Sequence, residues 1–448
     1  MPTSINRVAA LLILAFVLLI GALSFWAASG PALTAREDNP RRILAEQRIL
    51  RGPILDRDGE TLVETVGEPG AYTRHYLYPN AAPFTGYYSI NYGTSEVEQA
   101  YDATLRGTLG LDPTQAQVDA LLHIDPVGRG VQLTIDLGVQ RVADALLDGH
   151  TGAIVVLSVP DSTIRAMSSR PTFDPNTLDE DWDRLRADPS APLLNRTTQG
   201  QYQPGTALEP VVLAESLRRG IATLDTVPEK PMRTMAIDSQ SLACREDSDV
   251  ITLADALRAA CPVPFADLGA ALGSEGLWQM ASTWGLTETS VIGLQSGEPI
   301  TTPIALTDTQ TLRQFAVGQS SLTVSPLQMA VVASTLAGRG NLTPPGIVSG
   351  TQVLDGAWQS ADRPPARRIA PGDVVDRVVS ALPRTDNFVW HAGMGLSGQA
   401  KLLWLIGFTP IDEPQHAVAV LIEQGPGSAE SDRAAIEIGQ QLLAALSR

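Results

Sequence analysis

Residues 8–28, VAALLILAFVLLIGALSFWAA, carry no charge over 21 positions. About 20 such residues in one helix cross the hydrocarbon core of a bilayer, so this run commits the chain to a membrane before any other feature is read. The rival is a cleaved signal peptide, since Ala27, Ala28 and Ser29 are small. A signal peptide's apolar region usually runs only about 7 to 15 residues, which favours an uncleaved anchor. Trp26 stands where an interfacial aromatic would sit. Arg7 precedes the run, but Arg36, Arg41 and Arg42 follow it, and cations after a helix argue for the reverse topology. The bulk of the chain is nevertheless expected outside: no second apolar span follows, and two cysteines suit an oxidising compartment.

The remaining chain is long enough for two or three domains. It holds 49 Asp and Glu against 32 Lys and Arg, an acidic balance that excludes a protein binding nucleic acid through a basic surface. Only Lys230 and Lys401 are lysines. That scarcity limits any mechanism needing a neutral amine as base, because arginine stays charged.

After the anchor, polar and Pro-containing sequence extends to about residue 130. Its segment RGPILDRDGETLVET predicts two short strands around the Asp58-Gly59 turn. From GVQLTIDLGVQRVADALL onward a strand is followed by a helix with Val139, Val142, Ala143 and Leu146 on one face. GAIVVLSV and STIRAMSS then read as a hairpin across Pro160-Asp161. KLLWLIGFTP and HAVAVLIEQ read as strands on either side of IDEPQ, and residues 430–447 as an amphipathic helix. Sequential hairpins with helices before and after predict an α+β fold, an antiparallel sheet flanked by helices.

Chemistry is harder to find. The five histidines are isolated, with no H-E-x-x-H or C-x-x-C, so no metal site is expected. No phosphate-cradling glycine motif occurs, so no nucleotide cofactor is expected either. YQPGTALEP, residues 202–210, offers two readings. Thr206 and Glu209 fit a T-x-x-E capping box. They also fit a hydroxyl nucleophile at a helix N-terminus, which would need a base beside it.

Six ordered segments, RGPILDRDG, YPNAAPFTGYYSINYGTSEVEQAYDATLRG, LTIDLGVQRVADALL, GAIVVLSVPDSTIRAMSSRPTFDPN, LLNRTTQGQYQPG and AVGQSSLTVSPLQMAVVASTLAGRG, resemble class B penicillin-binding proteins of the penicillin-binding protein A type. The resemblance covers nearly the whole chain. It implies a tail at 1–7, an anchor at 8–28, a pedestal or dimerisation-like domain at 29–130, and a penicillin-binding transpeptidase-like domain at 131–448. It also implies peptidoglycan as substrate class and cell-wall synthesis or division proteins as partners.

That family's chemistry rests on S-x-x-K, S-x-N and K-T-G. The first aligns with Thr206 to Glu209, keeping a hydroxyl and replacing the amine by a carboxylate. The second aligns with Ala260, Cys261 and Pro262, with both functional groups gone. The third is assigned to Leu396, Ser397 and Gly398, with the cation missing. Lys401 cannot stand in, because five residues along a strand is about 17 Å and odd parity turns it to the opposite face. A Thr206-Glu209 dyad would rely on a carboxylate of pKa about 4.3, a weak base unless strongly buried. The expectation is therefore a vestigial cleft in a catalytically inactive scaffold or peptide-binding module. The alternatives are a transpeptidase with a Thr nucleophile and a receptor that holds wall peptide or β-lactam without acylation. The resemblance also places a cysteine pair near Cys244 and Cys261, which implies a disulfide, although two buried thiols would give the same spacing.

Overall fold

The computed structural model describes residues 2–34, 43–44, 46–112, 114, 118, 121–122, 124, 127–228, 233–245, 249–289, 292–298, 306, 308–428 and 430–447. Arg36, Arg41, Arg42 and Lys230 lie outside the described residues. The first element, α1 (Pro2–Thr34), contains the stretch Ile5–Ser29, with mean hydropathy 2.9 and none of it packed against the protein. At about 1.5 Å per residue it exceeds the ~30 Å of a bilayer core, so its bare apolar surface matches a lipid environment.

The N-terminal sheet begins with β1 (Ile54–Leu55), β2 (Thr61–Val66) and β3 (Thr73–Tyr76). Asp56 makes the first turn, its Oδ1 accepting from the Asp58 and Glu60 amides at 2.9 and 2.8 Å. Gly59 supplies the positive φ of 87°. A short helix, α2 (Glu96–Ala100), carries Glu98 beneath this sheet. There the Glu98 carboxylate accepts from Arg51 Nη2 and Arg74 Nε, both at 2.6 Å, in a fully buried three-residue cluster.

The sheet does not stop at the pedestal. Strand β4 (Val131–Leu133) pairs parallel with β1, and helix α3 (Leu137–Leu147) follows it. The expected division at residue 130 thus falls at the edge of a strand belonging to the pedestal sheet. Two further strands, introduced below, complete that sheet from the far side of the chain.

The second sheet starts with the hairpin β5 (Gly152–Ser158) and β6 (Ile164–Arg170). Next come α4 (Leu178–Ala187), α5 (Glu209–Arg218), β7 (Gln240–Ala243), α6 (Leu253–Arg258), α7 (Pro262–Thr283) and α8 (Pro326–Ala337). Strands β8 (Val348–Gln352) and β9 (Trp358–Ser360) turn back to the pedestal, giving a six-stranded order β9-β8-β4-β1-β2-β3. The chain closes with β10 (Val389–Ser397), β11 (Ala400–Thr409), β12 (His416–Gln424) and α9 (Ala434–Leu446). These strands form a five-stranded antiparallel sheet ordered β10-β11-β12-β5-β6.

Side chains alternate between two cores, as the pleat requires. Ile154, Val156, Leu403, Leu405, Val418 and Val420 pack under α3 and α9. Val155, Leu157, Trp404, Ile406, Ala417 and Ala419 join the larger core on the face where α8 packs. With both faces covered, the strands read as apolar runs rather than alternations. The α+β architecture agrees with the sequence.

The packed face of α3 includes the expected Val139, Val142, Ala143 and Leu146 and extends beyond them. In α3 the fully buried positions are Leu137, Gln140, Ala143, Asp144 and Leu147, while Val139, Val142 and Leu146 are only partly covered. Gln140 and Asp144 are tolerated inside because the Gln140 amide pairs with the Met167 backbone at 2.8 and 2.9 Å. Asp144 in turn accepts from Ser168 and Tyr78 at 2.5 and 2.7 Å.

Burial acts to raise the Glu98 pKa, but Arg74 and Arg51 outweigh it and hold the carboxyl below its usual range. Its stabilising contribution is therefore complete above the unfolded pKa and lost as pH falls through the lower folded value. Glu98→Gln should cost about 3 kcal/mol or more, because it strips the buried Arg74 of its carboxylate and leaves Arg51 only Asp102, at 2.6 Å. Lys401→Met, at the exposed 2.7 Å pair with Asp432, should cost under about 1 kcal/mol. Urea unfolding at neutral pH measures both, and equal losses would remove the buried cluster from its structural role.

Candidate functional site

Pro204 and Gly205 lead into a 3-10 turn, Gly205–Leu208, that runs directly into α5. Gly205 has φ 59°, and a Cβ there would lie 2.0 Å from the Met394 carbonyl oxygen. Only glycine fits. Strand β10 presses on this turn from the side: a Cβ on Gly393 would meet the Ala207 nitrogen at 2.0 Å, and one on Gly395 the Gln203 oxygen at 2.3 Å. Trp404 fastens the approach by donating its indole N–H to the Gln203 carbonyl at 3.0 Å.

The expected capping box does not form. Thr206 lies inside the helical run rather than ahead of it, and neither the turn nor α5 has a side-chain cap. Its Oγ1 instead accepts from the Met394 amide at 3.0 Å. Glu209 is fully buried, and neither carboxyl oxygen has a hydrogen-bond partner. Thr206 itself is 1% exposed. The pair is filled over by neighbouring backbone and side chains rather than standing at the mouth of a cleft.

A residue the sequence reading dismissed completes the site. His391 on β10 is buried, with Nε2 3.0 Å from the Thr206 carbonyl oxygen and 3.7 Å from Glu209 Oε2. Since the carbonyl only accepts, Nε2 carries the proton, and Nδ1 is left as a buried lone pair without a partner. Burial lowers the His391 pKa to about 4, opposed by the bond to Thr206 and reinforced by nearby Arg245. Burial alone lifts Glu209 well above the carboxylate range. Burial thus works against the charged form of each group, and neither stands as a ready partner for an ion pair across the 3.7 Å.

This contact also corrects the third-motif register. Ser397 and Gly398 lie at the end of the β10-β11 hairpin, where Ser397 pairs with Ala400 and Gly398 has φ 56° with open space around it. Leu396 pairs with Lys401 one step earlier, and Lys401 is held at the surface by Asp432. The strand residues lying against Thr206 are five positions back. His391, Ala392 and Gly393 offer a titratable group, a small residue and an obligatory glycine in the K-T-G order. The signal available in the sequence was the alternate glycines 393 and 395, which mark a strand approached by another backbone.

Ala260 and Pro262 sit elsewhere in the same region. Ala260 is buried in the left-handed conformation, φ 47°, between α6 and α7, and Pro262 opens α7. Cys261 between them is joined to Cys244, just beyond β7. Neither Ala260 nor Pro262 offers a side-chain hydrogen-bonding group. Among the described residues no cluster of His, Cys, Asp or Glu could hold a metal ion.

The opposite neutral states make stability depend on pH in opposite senses. Glu209 keeps its proton when folded, so it removes stability as pH rises above its unfolded value of about 4.3. His391 stays unprotonated when folded, so it removes stability as pH falls below about 6.5. Of this pair only Glu209 contributes a slope above pH ~6.5, where it adds to that of other carboxyls raised by burial such as Glu96. Glu209→Gln should therefore flatten the decline between neutral and alkaline pH and raise the melting temperature at pH 8. A melting temperature that falls at every pH would mean that the carboxyl is charged in the fold.

Residues 152–381 match the penicillin-binding protein transpeptidase domain, and residues 51–131 the penicillin-binding protein A dimerisation domain. The peptidoglycan D,D-transpeptidase PbpA of Mycolicibacterium smegmatis is 31% identical, over 100% of this chain and 99% of its own. Its Mycobacterium tuberculosis counterpart is 28% identical over 99% of each chain. Among solved structures, the ceftriaxone acyl-enzyme of M. tuberculosis penicillin-binding protein A superposes with a TM-score of 0.78 at 26% identity, covering 90% of this chain and 99% of that one. Matched end to end in sequence and in fold, the chain belongs to the class B penicillin-binding proteins.

Proposed function

We propose that this penicillin-binding protein serves cell-wall synthesis or division as a non-acylating scaffold, anchored by α1 with its bulk outside the cytoplasm. The observation carrying this reading is the state of Thr206. Its hydroxyl is buried and accepts from the Met394 amide, burial pushes the carboxyl of its neighbour Glu209 toward the protonated form, and the strand beside it presents a neutral imidazole. A hydroxyl attacks only when a base takes its proton, and among the described residues no base is hydrogen-bonded to Oγ1. Catalytic groups of this kind act as a unit, so the joint loss of amine and cation removes most of the rate. What remains is a surface held in place by a rigid core.

Incubation with penicillin G, the ligand in an acyl-enzyme of M. tuberculosis penicillin-binding protein A, should leave the intact mass unchanged. Thr206→Ser should stay unlabelled too, because restoring the primary hydroxyl restores no base. An adduct on the peptide containing Thr206 would overturn the reading.

The placement outside the cytoplasm rests on the Cys244-Cys261 bond, which an oxidising compartment maintains. Non-reducing peptide mapping of protein from native membranes should recover the two cysteines as one linked peptide. Two free, alkylatable thiols would count against that placement.

A further inference from the structure

A cavity of about 180 Å³ opens where the pedestal meets the C-terminal domain. Tyr87 and Glu96 line it from one side, and Phe173, Trp182, Asn195 and Gln199 from the other. The three rings form a corner. Tyr87 lies edge-to-face with both Phe173 and Trp182, at centroid distances of 6.1 Å in each case.

Glu96 is 4% exposed. Its Oε1 accepts from Gln199 Nε2 at 3.0 Å and Asn195 Nδ2 at 3.2 Å, while Oε2 has no hydrogen-bond partner. Its φ is 49°, a left-handed conformation that glycine adopts freely and glutamate does not. A buried acid with one unused oxygen on a strained backbone is a double burden on stability. None of the residues lining the cavity is a Lys, Arg or His.

We propose that this cavity binds a small organic ammonium group, with Glu96 as counter-ion and Tyr87, Phe173 and Trp182 as aromatic walls. The carboxyl lacks a cation, and aromatic rings attract ammonium groups within about 6 Å of their centroids. A neutral ligand could fill the space but would gain nothing from ionising Glu96 or from the electron-rich ring faces. The ammonium could come from a primary amine, as on an amino sugar or a peptide side chain, or from a quaternary lipid headgroup.

Burial raises the Glu96 pKa to about 8, against the lowering effect of its hydrogen bonds. The empty site therefore holds mostly neutral carboxyl at pH 7, and cation binding expels a proton. The other titratable group on the walls, the Tyr87 phenol, is pushed up by burial and stays neutral throughout. Binding should tighten as pH rises from about 6 to 8 and then level off.

Calorimetry on the full chain in detergent tests this with three probes: choline, n-butylammonium, and 3,3-dimethylbutan-1-ol, the neutral isostere of choline. At least one cation should bind with a Kd of about 1 mM or tighter, with a heat that depends on the buffer's own protonation. The neutral isostere should bind at least about tenfold more weakly. Preference for choline points to a quaternary source and preference for butylammonium to a primary one. Glu96→Gln should lose the same factor. So should Glu96→Gly, which relieves the left-handed backbone and should melt no lower than the parent, separating lost binding from lost folding. The proposal fails if the Kd of both cations lies well above about 1 mM, if the isostere matches them, or if either variant binds as the parent does.

Discussion

The contact between β10 and the turn before α5 governs much of the C-terminal domain. Here two backbones meet without intervening side chains. Gly205, Gly393 and Gly395 each stand where a Cβ would come within 2.0 to 2.3 Å of main-chain atoms. Gly318 adds a fourth such position, with its carbonyl accepting from the Gly205 amide at 3.0 Å. Because nothing flexible lies between the elements, the Thr206 hydroxyl, the Thr206 carbonyl and the His391 ring are fixed relative to one another. A side chain on any of these glycines would have to push a strand away from a helix, and the core behind both is closely packed.

That rigid frame encloses polar groups that are neutral rather than paired. In a dry site, a lone charge is costly enough that the group changes protonation state instead. Glu209 and His391 do so in opposite directions, one keeping its proton and the other refusing one. An amine-and-cation site uses the same positions to accumulate positive charge. Here those positions carry a carboxyl and an imidazole on a closely packed backbone, and a fold does not by itself fix the chemistry it hosts.

The hairpins and terminal helices were legible in the sequence because each is set by a local pattern: apolar runs bounded by turn residues. The full width of the α3 face was not, since Gln140 and Asp144 are buried by partners on β6 and the pedestal, which no helical period reveals. The capping box was misread for a related reason. T-x-x-E marks a helix start only if the threonine lies outside the helix, and the preceding turn had already begun one. The third-motif register failed because, without a lysine, glycines at 393, 395 and 398 all look alike. Only the close approach to Ala207 distinguishes 393. Thr206 and Glu209 were found together, but His391 could not be, because 185 residues separate it from Thr206.

The six-stranded sheet has a consequence for how the chain is made. Its strand β4 is complete by residue 133, yet its neighbour β8 begins only at Val348. At roughly 5–20 residues per second, synthesis leaves that edge without its partner for roughly ten to forty seconds. During this interval the sheet has four of its six strands, with unpaired N–H and C=O groups along one side. The sheet that starts first in sequence is therefore completed only late in synthesis, and the return of residues 348–360 is the event that closes it.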